Sequence, residues 1–85
     1  MPAFQELTAV QGFDRITFER HIMGGQACIR GMRITVSLVL NLLAHGKQAP
    51  DILAEYPDLE AEDIQQALEY AAWLAREQVY PGQSA

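Results

Sequence analysis

The feature that most constrains the fold is the division of residues 35–76 by Gly46 and Pro57 into three segments of helical period. In the first segment Thr35 can cap the start, and Gly46 lies where a left-handed residue ends a helix. Apolar side chains recur at helical spacing between them, namely Val36, Leu38, Val39, Leu40, Leu42 and Leu43. The segment predicts an amphipathic helix that buries one face.

The two segments that follow predict a helix-turn-helix. Ala49 and Pro50 suit the first turn of a short helix, which Pro57 stops. A longer helix opens at Glu60, a weak capping residue, with Leu59 and Ile64 spaced as a hydrophobic staple. Its predicted buried stripe is Ile64, Leu68, Ala71, Ala72 and Ala75, with Tyr70, Trp73 and Leu74 beside it. With the helix before them, these segments make a trihelical unit.

The residues before Thr35 predict a small β element. "RITFER", residues 15–20, alternates as a half-buried strand does, and Gly24-Gly25 predicts a turn. "ACIRGMRIT" reads as two short strands around a Gly31-Met32 turn, which places Cys28 opposite Thr35 and Arg30 opposite Arg33. An extended strand kinked at Gly31 fits nearly as well.

The domain organisation follows from the length of 85 residues, which makes one domain with a small core. We expect an N-terminal arm over residues 1–13, a single helix-turn-helix domain with an N-terminal β element over 14–78, and a flexible tail over 79–85. The fold class is mainly α, trihelical and homeodomain-like, with a short N-terminal strand or hairpin. Because the core is small, we also expect a homodimer, with Tyr70 and Trp73 as surplus apolar residues for an oligomer or partner contact.

The charges divide unequally along the chain. Residues 1–48 hold five cations and three acids, whereas residues 49–85 hold one cation and eight acids, and together these give the net charge of −5. Such asymmetry suggests two binding surfaces of opposite sign, or one half docking on the other in a dimer. The N terminus lacks the pattern of a secretory signal, and no stretch is apolar for long enough to span a bilayer, so a cytoplasmic location is expected.

The sequence does not assemble a recognisable catalytic site, so an enzyme is not expected. The P-loop pattern fails because no Lys-Ser or Lys-Thr pair is present. Cys28 has no neighbouring base and reads as a small buried residue. His21, Cys28 and His45 are scattered, without the local pairing of metal ligands, so neither a metal nor another cofactor is expected.

The acids of the third helix also have a simple explanation. Glu60, Glu62, Asp63 and Glu69 are interpreted as a solvated face, favoured near a helix N-terminus by the helix dipole. At the usual DNA-recognition positions, Gln65 and Gln66 could read adenine edges. The neighbouring acids would repel the phosphates that supply most of the affinity.

Residues 15–72 contain three specific motifs, namely the glycine pair, "CIRG-x-RI-x-V" and "ILAEYPDL-x-x-EDI-x-x-AL-x-YAA". Through these motifs they closely resemble the domain-of-unknown-function 433 family. The resemblance implies a trihelical, homeodomain-like fold with an N-terminal β element. It also implies an antitoxin of the VapB type, which binds and neutralises a PIN-like ribonuclease toxin and represses its own operon as a DNA-bound oligomer. The alternative is an oligomeric protein-interaction module whose helix-turn-helix does not bind DNA.

Several positions depart from the pattern of that family. Met23 stands where cysteine is frequent, Gln26-Ala27 where Lys-Pro is frequent, and Thr35 where proline is frequent. Glu60 replaces a capping threonine, which weakens the helix start by about 1 kcal/mol. These changes leave the fold expectation intact and weaken the expectation of DNA binding.

The candidate contact residues for an anion, DNA or a toxin are the cations and amides, namely Arg15, Arg30, Arg33, Lys47, Gln65 and Gln66. Two anions are considered: nucleic-acid phosphate, and the acidic metal site of a PIN-like nuclease. The alternative is that Arg30 and Arg33 pair with acids from the C-terminal half of the same chain or of a partner. Gly24, Gly25 and Gly31 are assigned to structural turns.

Overall fold

A computed structural model of the chain describes residues 8–10 and 12–76. Within them the order is β1 (Thr8–Val10), β2 (Phe13–Phe18), a 3₁₀ turn (Met23–Gly25), β3 (Ala27–Ile29), α1 (Val36–Ala44), α2 (Ala49–Glu55) and α3 (Ala61–Arg76). The predicted fold class, three helices preceded by a short β element, is confirmed. No helix in the described part of the chain is long and apolar enough to cross a membrane. The predicted tail, residues 79–85, lies outside the described residues.

The β element is a three-stranded antiparallel sheet with β2 in the centre. β2 begins at Phe13, two residues before the predicted strand, and β1 pairs with it. Part of the segment predicted as an N-terminal arm is therefore a strand of the sheet. On the other side Ile16 pairs with Ile29 and Thr17 with Cys28, so that Ile16 and Ile29 lie fully buried beneath the helices.

The ends of α1 are as the sequence predicts. Thr35 caps the N-terminus, because its hydroxyl oxygen accepts a hydrogen bond of 3.0 Å from the Leu38 N–H. At the other end Gly46 has a φ of +97°, and its N–H and that of Lys47 donate to the carbonyls of Leu43 and Leu42. This is the Schellman arrangement, which needs a residue that tolerates left-handed backbone.

The start of α3 is stabilised in a way that the sequence analysis did not predict. Glu60 offers a weak cap, but its own N–H donates to Asp63 Oδ2 over 2.8 Å. Asp63 is the third residue of the helix, so it supplies the reciprocal half of a capping box. Leu59 and Ile64 are both buried, as a hydrophobic staple requires.

The core lies where α3 and α1 pack on the sheet. Its buried residues are Ile16, Ile29, Val36, Val39, Ile52, Leu59, Ile64, Ala67 and Tyr70. The predicted buried stripe of α3 was wrong, because the helix is rotated about its axis relative to the prediction. Leu68 is 43% exposed, and Ala72 and Ala75 face solvent. The buried face is instead Asp63, Ile64, Ala67 and Tyr70. Helix period alone left this choice open, since both sets recur at spacings of three and four.

Candidate functional site

The turn after β3 positions Arg30, and it differs from the predicted turn by one residue. Arg30 and Gly31 have φ values of +46° and +73°, and the Met32 N–H donates to the Ile29 carbonyl over 2.8 Å. Positive φ at both central residues is the type I′ pattern, so the predicted type II′ turn at Gly31-Met32 was wrong. The Gly31 N–H donates to Thr17 Oγ1 over 2.8 Å, which anchors the turn on β2.

This turn keeps Arg30 away from Arg33. The predicted pairing of Cys28 with Thr35 is confirmed as an isolated bridge, and the Ile29 N–H donates to the Ile34 carbonyl. Arg30 occupies a central position of the turn, so the predicted cross-strand pair with Arg33 does not form. Its side chain extends instead to α3.

Arg30 and Arg15 meet on the carboxylate of Asp63, which is fully buried. Arg30 Nε lies 3.0 Å from Asp63 Oδ1, and Arg30 Nη2 lies 2.9 Å from Oδ2. Arg15 Nη1 donates to Oδ1 over 2.8 Å, and the Glu60 N–H donates to Oδ2. We name Arg15, Arg30, Glu60 and Asp63 the arginine–aspartate cluster. The interpretation of Asp63 as part of a solvated face was wrong, because two guanidinium groups and a backbone N–H satisfy its charge.

Further hydrogen bonds attach the cluster to its surroundings. Arg15 Nη1 lies 2.8 Å from Glu60 Oε1, and Arg30 Nη2 donates to the Asp58 carbonyl over 2.8 Å. Gln66 joins from the next turn of α3: its Oε1 accepts from the Arg15 backbone N–H over 2.6 Å, and its Nε2 donates to Asp14. Three predicted contact residues, Arg15, Arg30 and Gln66, therefore connect the sheet to α3.

The pKa values reflect this mutual stabilisation. Burial by itself would raise the pKa of Asp63, but the hydrogen bonds from Arg30, Arg15 and the Glu60 N–H outweigh it and hold the pKa below its ordinary value. Hydrogen bonds to Glu60 and Asp63 raise the pKa of Arg15, and the hydrogen bond to Asp63 raises that of Arg30. Asp63, Arg15 and Arg30 are therefore all ionised throughout the neutral range.

The other predicted contact residues are not brought together with the cluster. Arg33 is exposed and forms no ion pair with any residue of the described ranges. Lys47 lies 3.5 Å from Glu55, and Gln65 donates to Glu69 over 3.2 Å on the exposed side of α3. Of the three arginines predicted as contact residues, Arg33 is therefore the one whose guanidinium forms no ion pair within the described part of the fold.

Tyr70 and Trp73 form an aromatic group with Phe13. The ring centroid of Phe13 lies 5.5 Å from that of Tyr70 and 5.7 Å from that of Trp73, and the ring centroids of Tyr70 and Trp73 are 6.0 Å apart. Tyr70 is 8% exposed and Trp73 is half-buried. The expectation that Tyr70 is surplus to the core was wrong, since the rotation of α3 buries it and β2 supplies Phe13 beside it. A role of Tyr70 and Trp73 in an oligomer or partner contact stays a prediction.

An open apolar groove runs between α1 and α3, with a volume of about 450 Å³. It is lined by Gln26, Ala27, Val36, Ser37, Leu40, Asn41, Ala44, Tyr70 and Leu74. Val36 and Tyr70 are buried, whereas Leu74 is 41% exposed. The sequence analysis missed this groove. Its signal was the spacing of four between Val36, Leu40 and Ala44, of which Val36 and Leu40 were interpreted as core and Ala44 was not assigned.

Chemistry at cysteine or histidine finds little support in the local geometry. Cys28 is buried in β3, and burial raises the pKa of its thiol despite the opposing charge of Arg33. His45 ends α1, with Nδ1 2.7 Å from the Asn41 carbonyl. Among the residues with described placement, no three His, Cys, Asp or Glu side chains lie close enough together to hold a metal ion.

Comparisons with known proteins agree with the fold. The family model described as "Protein of unknown function (DUF433)" matches residues 16–71. The crystal structure of a DUF433 member protein from Anabaena variabilis is similar, with 33% sequence identity and a TM-score of 0.68. The similarity covers 74% of this chain but only 62% of that one, so the chain spans less than two thirds of its neighbour. No protein with a curated description matches. With more than half of its residues matched by the family model and its fold shared with a solved member, this chain belongs to the DUF433 family.

Proposed function

We propose that this chain is a non-catalytic protein-binding module of the antitoxin type, whose partner is a PIN-like ribonuclease. The observation that carries the proposal is the open apolar groove between α1 and α3. A groove of this kind, with six apolar lining residues and three uncharged polar ones, provides the anchor pockets that dominate protein recognition. The ribonuclease as partner rests on the family resemblance.

The charges of α3 favour a protein over DNA as the partner. Glu62, Gln65 and Glu69 are exposed on the helix that would enter the major groove. Arg15 and Arg30, which would have balanced them, are bonded to Asp63. Because phosphate contacts supply most of the affinity for DNA, α3 is poorly suited to bind it. Operon repression is therefore the weaker part of the antitoxin proposal, and among the predicted contact arginines Arg33 is the one that forms no ion pair with the described residues.

Recovery of the partner is the first test. The tagged chain, purified from its native cells, is expected to bring down a PIN-like ribonuclease that mass spectrometry identifies. Purified ribonuclease is then titrated with the chain while RNA cleavage is followed, and cleavage is expected to stop at a fixed ratio of the two proteins. Cleavage that continues with the chain in excess would contradict the proposal.

Matched variants on α3 test whether the groove is the binding surface. Leu74→Glu places a charge in the groove, whereas Leu68→Glu places the same charge on a position of similar exposure outside it. We expect Leu74→Glu to weaken ribonuclease binding by at least about tenfold, because an unpaired charge at an apolar contact is costly. Leu68→Glu is expected to bind as the wild type does. Equal behaviour of the two variants would remove the groove from the proposal.

Self-association is part of the same proposal. The chain has 85 residues and a small core, which association with a second copy would stabilise. We propose a homodimer in the cytoplasm, where the RNA substrates of the partner are found. Light scattering over a range of concentrations tests it, and a monomer mass at every concentration would contradict it.

A further inference from the structure

The two long walls of the groove are helical ridges, and Gln26 and Ala27 at the start of β3 complete its lining. On α1 the lining residues Val36, Leu40 and Ala44 follow one another at intervals of four, and on α3 Tyr70 and Leu74 do the same. Side chains four apart form a continuous row along a helix surface. An amphipathic helix binds by laying its apolar face into a hydrophobic groove of this kind.

The backbone of the walls argues against an extended peptide in the groove. A peptide in extended form brings a row of unpaired N–H and C=O groups, which it satisfies at the edge of a sheet. Along the walls, the interior backbone groups of α1 and α3 are used within each helix. Of the nine lining residues Ala27 alone belongs to a strand, and a single residue of β3, already paired with Phe18 of β2, is too short an edge for an extended peptide. A helix brings its own backbone already satisfied, so it can occupy the groove without leaving polar groups unpaired.

The charge of the groove restricts the side chains that enter it. None of its nine lining residues is charged. The polar members stand at the rim, where Asn41 Nδ2 already donates to the Ser37 carbonyl over 2.9 Å and both side chains are exposed. A charged side chain of the partner would lose water there and gain no opposite charge. The complementary surface is therefore apolar and uncharged.

We propose that the groove receives the apolar ridge of one amphipathic helix of the partner protein. This inference rests on the proposed function, since it takes the groove as the binding site. Val36 and Ala44 are eight residues apart, which is about 12 Å along α1, so the groove accommodates about two turns of the partner helix. The helix presents large aliphatic or aromatic residues at intervals of three or four, with charged residues confined to its outer face.

Photo-crosslinking in native cells identifies the occupant. A benzophenone amino acid is introduced at Ser37 on one wall, at Leu74 on the other, or at Leu68 outside the groove as the control. We expect the probes at Ser37 and Leu74 to label one segment of one partner, at positions three or four residues apart, and the probe at Leu68 to label it much less. Circular dichroism establishes that each variant has kept its helices.

Substitutions in the labelled partner segment test its conformation. Proline at an outward-facing position between the labelled residues is expected to reduce binding by more than about tenfold, because proline breaks a helix, whereas alanine at the same position leaves binding unchanged. Equal effects of proline and alanine would overturn the helix. Labelling of a second copy of this chain, or of no protein by either groove probe, would also overturn the inference.

The outcomes separate this inference from the proposed function. A labelled helix in a protein that is not a ribonuclease refutes the antitoxin role and supports the helix-binding groove. A labelled extended segment in a PIN-like ribonuclease supports the antitoxin role and refutes the helix.

Discussion

Arg30 and Asp63, 33 positions apart in the chain, join the turn after β3 to the first turn of α3 through two nitrogens of one guanidinium. The carboxylate is fully buried, and it also receives Arg15 and the Glu60 N–H. The contact therefore fixes both the position and the rotation of α3 on the sheet. The sequence left two roles open for Arg30: contact with an external anion, or an ion pair with an acid from the C-terminal half. The structure contains the ion pair, within the same chain.

The first prediction concerns the stability provided by Asp63. Asp63→Asn is expected to lower the free energy of unfolding by about 2–4 kcal/mol, because it leaves Arg30 without its counterion and leaves Arg15 with the exposed carboxylate of Glu60. Glu60→Gln is the matched control: its side chain is more than half exposed, so the loss should stay within about 1 kcal/mol. Urea denaturation measures the free energy of unfolding of both variants. Equal losses would contradict the claim that the burial of Asp63 makes its ion pairs stabilising.

The second prediction concerns the loss of folding stability at low pH. The pKa of Asp63 is lower in the folded chain than its ordinary value of 3.8, so the unfolded chain takes up the proton first as the pH falls. The stability that Asp63 contributes is fully present above pH 3.8 and is lost as the pH falls through the folded-state pKa. Urea denaturation between pH 7 and pH 2.5 should therefore show a steeper acid loss for the wild type than for Asp63→Asn. Parallel profiles would contradict the lowered pKa.

The third prediction concerns the backbone at Arg30, whose φ of +46° is unfavourable for a residue with a Cβ atom. Arg30→Ala and Arg30→Gly both lose the ion pair, but glycine relieves the left-handed backbone. We expect Arg30→Gly to be more stable than Arg30→Ala by about 0.5–1 kcal/mol in thermal or urea unfolding.

Arg33 provides the control for that comparison, because its backbone does not have a positive φ. There the order should reverse, with Arg33→Ala at least as stable as Arg33→Gly, since glycine has more conformational freedom to lose. The same order at both positions would mean that backbone strain at Arg30 does not affect stability.

The fourth prediction concerns the reactivity of Cys28. Burial raises the pKa of the thiol and shields it, so the folded chain should react with iodoacetamide at least about tenfold more slowly than the chain in denaturing urea. Mass spectrometry follows the labelling, and Cys28→Ser gives the background. Equal rates in the two conditions would show that the thiol is accessible in the folded state.

Local signals in the sequence sufficed for most of the secondary structure. Thr35 and Gly46 bound α1 because capping and left-handed backbone depend on a few neighbouring residues. The turn at Gly24-Gly25 was predicted for the same reason, since both residues have positive φ. The turn after β3 was misplaced by one residue, because an arginine in left-handed backbone is disfavoured unless tertiary contacts hold it there.

The sequence by itself determined the three helices, their order and the ends of α1, since each depends on interactions within about four residues. Only the tertiary structure decided which face of α3 is buried, and with it the burial of Asp63, the packing of Tyr70 against Phe13 and the groove beside Leu74. These features need side chains that are distant in the chain to meet. On the buried face of α3, two arginines from the N-terminal half meet one aspartate from the C-terminal half, a contact that no local period encodes.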